Sequence, residues 1–197
     1  SLIAKIKKAC EDQSNTNVAE ILHHTCKYKF CCSQYKHDRW YEYHEHHWHV
    51  SDGGVGIMTQ LSLQIRMSIT RYAVDCNKKM LENVTDETIT SQYIEYVRKA
   101  MELLGGKKLG NHRFKTEVMS ECKCYFYNKE FEEKLDEHRH LVGFNNGVYD
   151  LRKDEFRDGH PDDYISFSTG IDYVEVDEDD PRIEQVNKFM SELFPDE

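Results

Sequence analysis

The stretch HLVGFNNGVYDLRKDEFRDG, residues 140–159, decides the fold class because its apolar residues follow a different period from those upstream. Two apolar runs flank Asn145-Asn146-Gly147, and a polar turn follows at residues 152–154. Asn-Gly is a strong hairpin signal, since the turn that fits a hairpin needs positive φ at both of its central residues. Alternation continues through residues 162–176. The pattern predicts an antiparallel β-meander over about residues 139–176.

Upstream, over most of residues 1–138, the apolar spacing is helical. After the turn-forming residues 51–54, apolar side chains recur every three or four positions from Ile57 to Met80, which predicts one long amphipathic helix. Further helices are predicted from Asp86 to the glycines at 105–106, around 114–122, from 128 to 135, and from Pro181 onward. The fold class predicted is therefore α+β, a mainly helical body with a Trp-lined β-hairpin and a C-terminal antiparallel β-meander.

Four histidines lie within WYEYHEHHWHV, residues 40–50, where aromatic residues flank a polar centre. This arrangement predicts a hairpin with its tip near His44-Glu45-His46. Side chains alternate along a strand, so we expect the histidines to be mostly exposed and to point to different faces. The helical protease pattern is absent, because Trp48 stands four residues after His44. We expect no metal ligands here, and a metal-binding hairpin over His44–His49 remains the alternative.

Composition limits the function classes further. The 197 residues carry a net charge of −10, and residues 171–197 hold ten acids and two bases, so the acidity is concentrated in the tail. An acidic tail leaves a protein-interaction module as another alternative function. The seven cysteines include no two-residue zinc-knuckle gap, and we expect reduced thiols in the core.

The sequence contains no recognisable catalytic signature. The stretch GGKKLGNHRFK, residues 105–115, has glycines and lysines in the wrong order for a phosphate-binding loop. There is no Gly-x-Ser-x-Gly elbow, and paired acids such as Glu132-Glu133 are common on solvated faces. We expect this chain to be non-catalytic.

Two stretches of the sequence combine basic residues with aromatic residues. This combination is typical of proteins that bind single-stranded nucleic acid. The alternative is a solvated face with core aromatics behind it. The predicted nucleic-acid-binding residues are Lys107, Lys108, Arg113 and Lys115 in one stretch, and Lys27, Lys29 and Arg39 in the other.

Two blocks of sequence together resemble a known family. RWYEYHEHHWHVSDGGVGIMTQLS, residues 39–62, resembles a Trp-rich hairpin leading into a helix. Residues 114–173, with NNGVYDL and STGIDY, resemble the second half of the same domain. That domain precedes the helicase in poxvirus-type and phage-plasmid primase-helicases, and the form is similar to that of large nucleocytoplasmic DNA viruses. The resemblance covers about residues 26–193, and the histidine-rich tip departs from it, since a plainer Asn/Gly-type turn is expected there.

The resemblance implies a role in DNA replication. It implies a pre-helicase collar domain over residues 1–178 and an acidic linker helix over 179–197 that leads to a superfamily 3 ATPase. It also implies self-association into a ring, single-stranded or forked DNA and other viral replication proteins as partners, and a location in the host cell cytoplasm. ATP and Mg²⁺ would belong to the parent helicase, with no cofactor in this chain and no membrane partner.

Overall fold

The computed structural model describes residues 1–177 and 179–194, and it is an α+β fold that is 55 % helical with two small antiparallel sheets. The helices are α1 Leu2–Asp12, α2 Asn15–Cys26, α3 Val55–Glu82, α4 Glu87–Leu104, α5 His112–Phe126, α6 Phe131–Lys134 and α7 Pro181–Leu193. The strands are β1 Phe30–Gln34, β2 Arg39–His44, β3 His47–Ser51, β4 Leu141–Phe144, β5 Gly147–Asp150 and β6 Glu155–Arg157.

Helices α1 to α5 form the helical body around one hydrophobic core. Helix α3 packs against α4, and α2 packs against α5. The periodic residues of α3 are fully buried, as Ile57, Leu61, Ile65 and Ile69 show, so the long amphipathic helix is confirmed. Across the part of the chain that the structure describes, no helix combines the length and the apolar character that crossing a membrane requires.

The first sheet has the order β1-β2-β3 and contributes buried side chains to a hydrophobic cluster on each of its faces. Glu45 and His46 form the two-residue turn between β2 and β3 with φ of 49° and 65°, which confirms the predicted Trp-lined hairpin. Trp40 faces the helical core, whereas Trp48 packs with Phe131 in a separate cluster on the other face. The pairing of β1 with β2 was not predicted, because helical spacing was expected over most of this region.

The second sheet has the order β4-β5-β6, and the predicted meander is confirmed only as far as Arg157. The expectation of alternating strand over residues 162–176 is wrong. A 3-10 turn at Pro161–Asp163 and a left-handed Tyr164, with φ of 51°, interrupt the chain before it. The segment then runs beside the sheets through single backbone hydrogen bonds, such as Thr169 N to Gly143 O at 2.8 Å.

Gly147 begins β5, but the reason predicted for a glycine there is wrong. Asn145, Asn146 and Gly147 all lack positive φ. A Cβ at Gly147 would instead lie 2.6 Å from the carbonyl oxygen of Arg157, so the position needs a glycine because two strands approach closely.

Helix α7 confirms the helix predicted at Pro181. The Asp180 side chain accepts a hydrogen bond from the backbone N–H of Arg182 at 2.9 Å and caps the helix. No residue of α7 is buried. The proposed boundary at residue 178 and the last residues, 195–197, lie outside the described residues, and the division at that boundary stays a prediction.

Candidate nucleic-acid interface

The first predicted basic stretch forms the connection between α4 and α5, and this connection is anchored at both ends. Leu109 is buried, and its backbone N–H donates to the carbonyl of Leu103 at 3.2 Å. The Asn111 side chain caps α5 by accepting from the Arg113 backbone N–H at 2.8 Å. These two contacts fix the backbone of the connection. We call Lys107, Lys108, Arg113 and Lys115 the α4–α5 patch.

Three lysines of the α4–α5 patch have no carboxylate partner among the described residues. Lys107 is exposed. The Lys108 ammonium donates to the Gln13 carbonyl at 3.4 Å, and the Lys115 ammonium donates to the Ser62 hydroxyl at 3.5 Å. These partners are neutral, so no ion pair with a described residue neutralises the three lysine charges, although the charge of Lys108 also helps to lower the pKa of Glu117. The N-terminus of α5 adds a partial positive charge beside them.

Arg113 differs from the lysines because its guanidinium donates to Glu117 at 3.1 Å. That hydrogen bond holds the pKa of the Glu117 carboxyl below its usual range, so the acid stays ionised beside the base. The pair is exposed on the surface of α5, and a phosphate would compete with the carboxylate for Arg113.

The second predicted group, Lys27, Lys29 and Arg39, is called the β1–β2 patch, and it is largely compensated. The Lys29 ammonium lies 3.4 Å from Glu42, and the Arg39 guanidinium lies 3.3 Å from Glu132. Lys27 lies 4.6 Å above the Tyr28 ring. The DNA-binding assignment of both patches stays a prediction, and the charges favour the α4–α5 patch.

A third basic surface was not predicted as a site. Tyr35, Lys36 and His37 of the turn between β1 and β2 line an open hollow of about 630 Å³ together with Tyr127 and Lys129, which follow α5. Lys36 belongs to the basic stretch noted in the sequence, but nothing in the sequence brings it together with Lys129. An isolated parallel bridge between Cys32 and Tyr127 does so in the fold.

The histidine tip also differs from its prediction. The register pairs His44 with His47 and Glu42 with His49, so the rings of these three histidines lie together on one face. His44 and His49 stack with centroids 3.7 Å apart, whereas the His47 ring is tilted by 41° against His49. The expectation that they point to different faces is wrong for these three. His46 turns elsewhere and accepts a hydrogen bond from the Gly159 N–H at 3.1 Å.

Potential ligand atoms of His44, Glu45 and His49 lie within 4.8 Å of one another, the one such group found in residues 1–177 and 179–194. The His44 and His49 ring planes are nearly parallel, at 3°. A metal ion lies about 2.0–2.1 Å from an imidazole nitrogen and close to the ring plane, so two stacked rings cannot both ligate one ion until one rotates. Burial, with His47 and His44 nearby, also lowers the pKa of His49.

Six of the seven cysteines are buried, which confirms the prediction of core thiols for them. Burial raises the pKa of Cys10, Cys31 and Cys122 to about 12. Cys124 is exposed and differs from that prediction.

Comparison with known proteins gives one family and several relatives. The family model described as "D5 N terminal like" matches residues 19–195. The chain is 32 % identical over 192 residues to "Putative helicase L207/L206" of Acanthamoeba polyphaga mimivirus, covering 97 % of this chain and 19 % of that protein. It is 27 % identical over 187 residues to "Putative helicase 022R" of Frog virus 3, covering 82 % and 19 %. "Putative helicase 121R" of Invertebrate iridescent virus 3 is 35 % identical over 91 residues, covering 46 % and 10 %. The chain thus spans about a fifth or less of the length of these relatives.

Proposed function

The chain belongs to the D5 N-terminal-like family, and on that basis we propose that it is a non-catalytic module of a viral replicative primase-helicase. The observation that carries this proposal is the match to almost the whole of this chain in a much longer protein that is named a putative helicase. In this proposal the module forms a collar on a ring-forming ATPase and lies near the DNA. ATP and Mg²⁺ act in the ATPase domain of the full-length protein, which works in the host cell cytoplasm with other replication proteins.

We propose further that the module contacts single-stranded or forked DNA through the α4–α5 patch. Three lysines of this patch have no carboxylate partner among the described residues, and they lie on an anchored connection next to the N-terminus of α5. Their charges and the partial positive charge of the helix N-terminus both favour a phosphate. The β1–β2 patch is secondary in this proposal, because Lys29 and Arg39 already face carboxylates. The net charge of −10 opposes the approach of DNA, so single modules bind weakly and assembly multiplies the contacts.

The patch sets the expected salt dependence. Each phosphate neutralised on a single strand contributes about −0.7 to the slope of log K against log salt. Three uncompensated lysines therefore give a slope of about −2. Arg113 adds to this only if DNA displaces Glu117.

The test is the double charge reversal Lys107→Glu with Lys108→Glu in the full-length protein, with DNA affinity measured by fluorescence anisotropy across a salt series. We expect weaker binding and a shallower salt slope. The matched control is Lys78→Glu with Lys79→Glu, which makes the same charge change on exposed residues at the far end of α3. That pair lies about 24 Å along α3 from Ser62, the residue that Lys115 contacts.

A thermal melt of both variants checks that they fold. If both reversals weaken binding equally, only net charge matters and the α4–α5 patch is refuted. If neither changes the affinity, the module does not contact DNA through the α4–α5 patch.

A further inference from the structure

The hollow between the β1–β2 turn and the end of α5 combines exposed aromatic rings with positive charge. Tyr35 and Tyr127 are each 47 % exposed, although their rings pack edge to face with centroids 6.2 Å apart. Lys36, His37 and Lys129 surround them, and no aspartate or glutamate lines the hollow. We call Tyr35, Lys36, Tyr127 and Lys129 the tyrosine–lysine shelf.

The two halves of the shelf are held together by the backbone. The Asn128 N–H donates to the carbonyl of Cys32 at 2.9 Å, next to the bridge that pairs Cys32 with Tyr127. The Cys124 thiol of α5 lies 3.9 Å from the Tyr35 hydroxyl and makes a weak contact with it. The backbone around the two rings is therefore already ordered before a ligand binds. Stacking on these rings then costs little conformational entropy.

The charge of the shelf is uncompensated. Lys36 and Lys129 are exposed and form no ion pair with any residue in the described part of the chain. Three acids near the shelf have other partners. Glu121, whose charge acts on Tyr35, accepts a hydrogen bond from the Thr16 hydroxyl at 3.2 Å. Asp38 lies 3.1 Å from the Lys123 ammonium and accepts from the Trp40 indole N–H at 2.8 Å, and Glu132 binds Arg39 and the Ser33 hydroxyl.

The shelf continues toward a second aromatic surface. Tyr127 also lines a neighbouring hollow that includes Lys27 and Tyr28. Tyr28 is 61 % exposed, with the Lys27 ammonium 4.6 Å from the centre of its ring. Exposed rings and lysines thus line two adjoining hollows that share Tyr127, although the second hollow also contains Asp162. Grooves that bind single strands without sequence preference combine the same two kinds of side chain.

We propose that the tyrosine–lysine shelf binds single-stranded DNA by stacking bases on Tyr35 and Tyr127, while Lys36 and Lys129 contact the flanking phosphates. A single strand fits better than a duplex, because only unpaired bases expose their faces to an aromatic ring. This proposal rests on the proposed function but concerns a different surface from the α4–α5 patch. Loss of one stacking ring weakens binding of a base-bearing strand by about five- to 150-fold.

The test uses the full-length protein with two probes of equal length, a fluorescein-labelled oligo-dT and the same backbone made abasic. We expect Tyr35→Ala and Tyr127→Ala to weaken oligo-dT binding and to leave abasic binding within about twofold, because stacking needs bases. Lys36→Glu with Lys129→Glu should weaken both probes, because phosphates are common to both. Tyr35→Phe keeps the ring and removes only its hydroxyl, so it should restore oligo-dT binding.

Photocrosslinking of unmodified protein to an oligodeoxynucleotide that contains 5-iodo-2′-deoxyuridine, mapped by mass spectrometry, tests the shelf without any substitution. We expect crosslinks at Tyr35 or Tyr127. If the protein binds oligo-dT, the tyrosine variants bind it normally and crosslinks map elsewhere, the shelf proposal is overturned while the proposed function stands. If the protein binds neither probe, DNA contact by the module fails and the shelf fails with it.

Discussion

Replacing Gly147 tests whether this glycine is required for space or for backbone conformation. A Cβ at this position would lie 2.6 Å from the Arg157 carbonyl oxygen and 2.6 Å from Cζ of Phe156. The Phe156 ring can rotate away, but the carbonyl belongs to β6, which pairs with β5. Relief therefore requires the two strands to separate.

The magnitude follows from two opposing effects. Overpacking of this kind costs about 1–3 kcal/mol. Alanine also lowers the conformational entropy of the unfolded chain, which raises the free energy of unfolding by about 0.4–1 kcal/mol. The midpoints of these ranges leave a net loss of about 1.3 kcal/mol for Gly147→Ala. At about 2–4 °C for each kcal/mol in a chain of this size, the melting temperature should fall by roughly 3–5 °C.

Asparagine separates the two explanations. Where a positive φ is the reason for glycine, asparagine is tolerated better than alanine. Where space is the reason, the larger asparagine is at least as costly as alanine. Gly170 provides the matched control, since its φ is +77° and nothing lies within 4 Å of a Cβ built there. We expect asparagine to be the better replacement at Gly170 and no better than alanine at Gly147.

Thermal melting followed by circular dichroism, with urea unfolding for the free energies, measures all four variants. An unchanged melting temperature for Gly147→Ala would refute the close approach of the strands. A more stable Gly147→Asn than Gly147→Ala would restore the positive-φ explanation that the Asn-Gly sequence suggests.

Two further predictions concern ionisable groups. Burial of Asp163 opposes ionisation, but hydrogen bonds from the Arg157 guanidinium and the His160 backbone N–H outweigh it and lower the pKa of this carboxyl. Its contribution is therefore fully present above the unfolded pKa of about 3.9 and is lost as the pH falls through the lower folded pKa. We expect Asp163→Asn to be less stable by about 1–3 kcal/mol at pH 7, and urea unfolding should show the difference shrinking below about pH 4, whereas a constant difference would contradict the reasoning. For the thiols, we expect Ellman's reagent to modify Cys124 rapidly in the native protein and the other six only on unfolding. Rapid modification that persists in Cys124→Ser would show that a second thiol is accessible.

The sequence by itself determined the features that depend on neighbouring residues. The spacing from Ile57 to Met80 predicted α3 and, as far as Cys76, its buried face, because the period of a helix is a property of the segment alone. The flanking aromatic residues predicted the β2–β3 hairpin, and Asp180 with Pro181 predicted the start of α7. The two blocks of residues 39–62 and 114–173, taken in order, were sufficient for the family, which the family model then confirmed.

Only the tertiary structure decided the features that depend on residues far apart in the chain. Gly147 is required because of a strand that begins eight residues later. Residues 162–176 do not form the predicted strand, because a 3-10 turn at Pro161–Asp163 and the left-handed Tyr164 redirect the backbone at its start. The same holds for the candidate interface. Arg39 is compensated by Glu132, while Lys36 and Lys129 meet without a carboxylate. A charge acts through space and not along the sequence, so a basic stretch shows which residues carry charge, and only packing decides which of those charges remain available to bind a phosphate.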